Sequence, residues 1–106
     1  LYSGDDPSYV EFMKFKGDGV ISVAANVMPR EIKELSNLCL TGKFIEAEKK
    51  IKNYQEIFKL LFTESSPSPC KFILEKLLLL ENNLRLPLHP LSEEYREKIY
   101  EAFKNI

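Results

Sequence analysis

The stretch Gly17-Asp18-Gly19-Val20-Ile21-Ser22-Val23-Ala24-Ala25-Asn26-Val27 constrains this chain more than any other. A Gly-Asp-Gly turn leads into Val20-Ile21-Ser22-Val23, a run with no polar alternation. A strand without a polar face is covered on both sides. The chain has 106 residues, the length of one domain. The fold must therefore say what covers this strand in so short a chain.

The flanking residues sharpen the question. Leu1-Tyr2-Ser3 begins without a polar lead-in and reads as the end of a strand whose start lies elsewhere, so a C-terminal fragment is expected. Asp6 is placed to cap a helix over 7–16, with Pro7 at its first position. Val10, Phe12, Met13 and Phe15 give that helix its apolar surface, and Gly17 suits a left-handed stop. A strand over 19–23 completes a strand–helix–strand unit, which implies parallel pairing.

The rest reads as helix. Pro29 opens a helix to residue 40, with Ile32, Leu35 and Leu38 or Cys39 inward and Gly42 just past its end. Phe44, Ala47, Ile51, Tyr54, Phe58 and Leu61 form one stripe at spacings of 3 and 4, predicting a helix over 44–62. Further helices are expected over 69–80 and from a Ser92 cap to 105, the last with Ile99, Tyr100 and Phe103 inward. Between them, 84–90 is Pro-punctuated and reads as an extended strap. These helices can form a small bundle, but they cannot also cover both faces of a two-stranded ribbon. More strands are expected beside Leu1-Tyr2-Ser3.

Composition narrows the class. A net charge of −1 argues against a nucleic-acid surface. An apolar share of 44% is globular, and no apolar run reaches the roughly 18 residues of a membrane span. Cys39 and Cys70 lie among apolar neighbours and outside any CxxC pair, so they read as buried reduced thiols of a cytosolic protein.

Ser3-Gly4-Asp5-Asp6 and Gly19 to Val27, then Pro29 to Leu35 and Leu84 to Ser92, resemble the C-terminal part of the 4-hydroxy-tetrahydrodipicolinate (dihydrodipicolinate) synthase family. The resemblance covers the whole chain. It implies an α/β fold, the last two strands of a (β/α)8 barrel with a C-terminal helical domain. Residues 1–40 would end the barrel, with strands seven and eight, and 41–106 would be the helical domain. It also implies a lyase that joins pyruvate to aspartate semialdehyde through a lysine Schiff base, for lysine and diaminopimelate biosynthesis. No metal or organic cofactor is needed. The reactive lysine and a proton-relaying tyrosine would lie upstream, so this chain alone would be inactive and would need the N-terminal barrel portion. The enzyme would be cytoplasmic and a homo-oligomer, a tetramer or a dimer.

Functional residues are expected where barrel strands end. The resemblance places Gly4 beside the aldehyde pocket and gives Ile21 a backbone carbonyl facing the lysine and pyruvate. The plainer readings are a turn glycine and a core isoleucine. Phe15 would join a subunit contact, or pack on the barrel. Asp5 reads as a loop carboxylate without a reaction role. Ser22 has no neighbouring base, Asn26 is expected to bond locally, and His89 stands alone. Lys14, Lys16, Lys49, Lys50 and Lys52 fall on polar helix faces as solvated charges. Two departures from the family pattern stand out: Ser66-Pro67-Ser68-Pro69, and Leu78-Leu79-Leu80-Glu81 in place of a Gly-containing segment. Two alternatives remain: a sibling pyruvate aldolase of the N-acetylneuraminate lyase or keto-deoxy-gluconate type, and a non-catalytic helical interaction module.

Overall fold

Strand β1 (Tyr2–Ser3) pairs in parallel with β2 (Gly19–Val20) in the computed structural model, which describes residues 1–106. Tyr2 lies beside Gly19 and Ser3 beside Val20. The intervening helix α1 (Tyr9–Lys14) packs on β2, which gives the expected strand–helix–strand order. The chain divides into two compact units, Leu1–Gln55 and Glu56–Ile106.

In the first unit, β2 is shorter than the expected 19–23. The backbone turns helical at Val23, and Ala24–Asn26 forms a 3-10 turn. Ser22 Oγ accepts the Ala25 N–H at 2.9 Å, which favours the turn over a longer ladder. Helix α1 is also shorter than 7–16. Tyr9, Val10 and Met13 are buried, Phe12 is half-buried, and Phe15 is 80% exposed. The left-handed residue at its end is Lys16 (φ 61°), not Gly17. Gly17 serves another purpose, since a Cβ there would collide with the Phe12 ring.

Helix α2 (Pro29–Leu40) has the expected bounds, with Ile32, Leu35 and Cys39 buried and Leu38 half-buried. It packs against α3 (Phe44–Lys52), and α1 packs on both. The single helix expected over 44–62 is instead α3 and α4 (Gln55–Leu60), separated by a turn at Asn53-Tyr54. There the N–H groups of Asn53 and Tyr54 reach carbonyls only three residues back, at 3.1 and 3.0 Å. The apolar stripe survives the break: Ala47, Ile51, Tyr54, Phe58 and Leu61 are all buried, and Phe44 is half-buried.

In the second unit, α5 (Ser68–Lys76) packs against α6 (Glu93–Lys104). Cys70, Phe72, Ile73 and Ile99 are buried, while Tyr100 and Phe103 are only half-buried. Helix α5 stops short of residue 80 because Leu78 turns left-handed (φ 58°). Polar ties hold the strap and the residue before it. Ser68 Oγ donates to the His89 carbonyl at 2.9 Å, and Lys71 donates to the Asn83 carbonyl. Leu91 is buried, Leu84 and Leu88 are half-buried, and Leu86 is exposed. Ser92 precedes α6 but makes no capping bond; its hydroxyl and N–H both donate to Glu64. These two bonds, the hydroxyl's foremost, hold the Glu64 carboxyl below its ordinary range. Cys39 and Cys70 are free and buried, and burial pushes both thiols up.

Candidate functional site

The candidate site lies where the two parallel strands end. Beyond Ser3 the chain runs Gly4-Asp5-Asp6, and beyond Val20 it runs Ile21-Ser22-Val23. The Ile21 N–H donates to the Ser3 carbonyl at 2.8 Å, so the pairing extends one residue past β2. Gly4 and Ile21 thus stand at neighbouring strand ends. Space around Gly4 is open, and the Ile21 side chain is 77% exposed.

Side chains pin the loops to each other and to themselves. Ser3 Oγ accepts the Asp5 N–H at 3.1 Å and donates to the Asp5 carbonyl at 3.2 Å. Asp5 Oδ2 accepts the Ser8 N–H at 3.0 Å and the Ser8 hydroxyl, at the start of α1. Asp6 is 4% exposed, and its Oδ2 accepts the Ala24 N–H at 3.1 Å. The expected Asp6 cap is therefore corrected: Asp5 makes the local bonds before α1, and Asp6 crosses to the loop after β2. Adjacent carboxylates on a curving loop point apart, and only one can face the helix start. Asn26 bonds locally as expected, donating from Nδ2 to the Val23 carbonyl at 3.0 Å.

The polar groups here offer acceptors and backbone, not an activated nucleophile. The Ser22 hydroxyl is engaged by Ala25. A Schiff-base lysine needs an amine that loses its proton easily. Lys14 is exposed, as expected of a solvated lysine, and pairs with Glu48 and with Glu11, the latter at 3.1 Å. Lys50 pairs with Glu34. Those carboxylates, Glu48 foremost for Lys14 and Glu34 for Lys50, push both amines up, the wrong direction for a nucleophile. No group of three or more His, Cys, Asp or Glu residues could hold a metal ion. His89 is exposed on the strap.

The sequence did not reveal one contact and one hollow. The Tyr9 hydroxyl donates to Ser36 Oγ at 2.9 Å, and burial raises its pKa. Beside β1, β2 and α2 lies a hollow of about 370 Å³, lined by Tyr2, Tyr9, Val20, Ile32 and Ser36 among others. Tyr9 precedes the expected apolar stripe of α1 by one residue, so its hydroxyl obscured the signal.

The whole chain, residues 1–106, matches the dihydrodipicolinate synthetase family. It is 40% identical over 106 residues to the 4-hydroxy-tetrahydrodipicolinate synthase of Shewanella pealeana, covering 99% of this chain and 36% of that protein. Over 92 residues it is 46% identical to the synthase of the same name from Chlorobium luteolum, covering 87% of this chain and 31% of that one. The solved dihydrodipicolinate synthase of Aquifex aeolicus superposes with a TM-score of 0.93 at 42% identity, over 97% of this chain and 35% of that structure. That of Thermotoga maritima gives 0.94 at 35% identity, over 97% and 35%. The chain spans about a third of the length of these curated relatives.

Proposed function

Because the chain belongs to the dihydrodipicolinate synthetase family, we propose that its residues form the C-terminal portion of a 4-hydroxy-tetrahydrodipicolinate synthase. On this reading β1 and β2 are the last two strands of a (β/α)8 barrel. Residues 1–40 close the barrel, and 41–106 form the appended helical domain. The observation that carries the reading is the unfinished ribbon. Its two strands pair only with each other, and Leu1, Tyr2 and Ile21 are left exposed. Neighbouring barrel strands would pair with its edges and cover these residues.

The chemistry follows from a lysine outside residues 1–106. Its amine condenses with the pyruvate ketone, releasing water and leaving an imine. Loss of a methyl proton gives an enamine, whose carbon bonds to the aldehyde carbon of aspartate semialdehyde. The amino group of the adduct then displaces the lysine from the imine carbon, closing the ring and freeing the enzyme. A tyrosine, also outside this chain, relays protons. No metal or organic cofactor takes part.

This chain supplies backbone and shape. Ile21 turns its carbonyl toward the lysine and pyruvate, and the missing side chain at Gly4 lets backbone approach the aldehyde substrate. Phe15 meets another subunit of a homo-oligomer, a tetramer or dimer, in the cytoplasm. The exposure of Phe15 is consistent with its role.

Borohydride trapping tests the reading. The full-length protein that carries this chain is incubated with pyruvate and reduced, then mapped by mass. The adduct is expected on a lysine outside residues 1–106, and condensation is expected with aspartate semialdehyde over N-acetylmannosamine. An adduct on a lysine within the chain, or the reverse preference, overturns it.

A further inference from the structure

We propose that Asp6 is a positioning residue, whose carboxylate fixes the spacing of Gly4 and Ile21 by joining the loop after β1 to the turn after β2. The proposal rests on the reading of those two positions given above. The pairing of β1 with β2 ends before the two loops, so a tie further out is what holds one loop against the other. Two bonds bracket the stretch between them. On the strand side, the Ile21 N–H donates to the Ser3 carbonyl at 2.8 Å. On the far side, the Ala24 N–H donates to Asp6 Oδ2 at 3.1 Å in a buried setting, across 18 residues of sequence. Gly4-Asp5 and Ile21-Ser22-Val23 are caught between these two ties.

Local needs do not account for Asp6. The start of α1 is already served by Asp5. Ala24 opens the 3-10 turn, so no carbonyl within the turn reaches its N–H, and Asp6 supplies the missing acceptor. The second oxygen, Oδ1, is buried with no hydrogen-bond partner. A buried acceptor left in that state is costly, and a loop that merely needed a turn could avoid it with a smaller residue. The cost is understandable if the cross-loop bond serves the geometry of the strand ends.

The full-length protein tests this with kinetics. Asp6→Ala is expected to raise KM for aspartate semialdehyde about tenfold, with a smaller fall in kcat, as misplaced binding groups do. Asp6→Asn keeps one oxygen for the Ala24 N–H and is expected to stay within about threefold of the parent. Ile99→Val, a core change in the second unit, serves as the control: it lowers stability and leaves KM unchanged. An unchanged KM in Asp6→Ala, or an Asn variant as impaired as Ala, overturns the proposal. Should Asp6→Ala fail to fold, amide exchange of the parent decides. Ala24 is expected to exchange about a hundredfold more slowly than an open loop amide, and exchange at the open-loop rate overturns the proposal. If the parent forms no pyruvate adduct, the functional reading fails, and the Ala24 exchange still reports on the clamp.

Discussion

Helices α2 and α5 end on the same pair of hydrogen bonds but place different residues at the turning point. After α2, the Lys43 N–H reaches the Leu38 carbonyl at 2.8 Å and the Gly42 N–H reaches Cys39 at 3.1 Å. After α5, the Leu79 N–H reaches the Leu74 carbonyl at 3.0 Å and the Leu78 N–H reaches Glu75 at 2.9 Å. Both are Schellman ends with a left-handed residue, Gly42 at φ 75° and Leu78 at φ 58°. Glycine has no Cβ to clash there, whereas leucine loses about 1–2 kcal/mol. Leu78 is 92% exposed, so burial of its own side chain does not offset that cost. The hydrogen-bond motif, with the left-handed backbone at Leu78, marks where α5 stops. The residue at the turn adjusts only how well the stop is tolerated.

The comparison can be broken first at the helix bodies. Leu35→Ala on α2 and Ile73→Ala on α5 each remove a fully buried side chain, and each is expected to cost about 3 kcal/mol in urea unfolding. A much smaller cost at Ile73 would mean that packing holds the body of α5 less firmly than that of α2. Next, Gly42→Leu recreates at α2 what α5 carries natively and is expected to cost about 1–2 kcal/mol. Leu78→Gly reverses the exchange at α5. It is expected to gain about 0.5–1 kcal/mol, since relief of the left-handed strain exceeds the extra freedom of glycine in the unfolded chain. A loss at Leu78→Gly would show that the exposed leucine makes a contact of its own. The smallest effect concerns the caps. At α2, Thr41 Oγ1 donates to the Asn37 carbonyl at 2.8 Å, so Thr41→Val is expected to cost about 0.5 kcal/mol. At α5, Lys76 sits in the last turn instead. Lys76→Ala is expected to cost a few tenths of a kcal/mol, less as salt rises.

The two strand ends repeat the lesson at the candidate site. The pattern of residues 1–27 was enough to expect two parallel strands around a helix, and Gly4 and Ile21 do stand at neighbouring ends. The division of labour between Asp5 and Asp6 was not legible. They are adjacent acidic residues in one loop, and only the position of Ala24 decides which one turns inward.

Sequence by itself determined the features that arise from local sterics and short-range periodicity. These are the bounds of α2 with Pro29 at its start and Gly42 just past its end, the buried stripe from Ala47 to Leu61, and the order strand, helix, strand. Tertiary structure decided where β2 stops, where the stripe breaks at Asn53-Tyr54, that Leu78 accepts a left-handed turn, and that Asp6 reaches across 18 residues. The reason is one of range. A side chain's spacing fixes which face it shares with its neighbours, whereas the worth of ending an element or burying a carboxylate depends on groups that only the folded chain brings near.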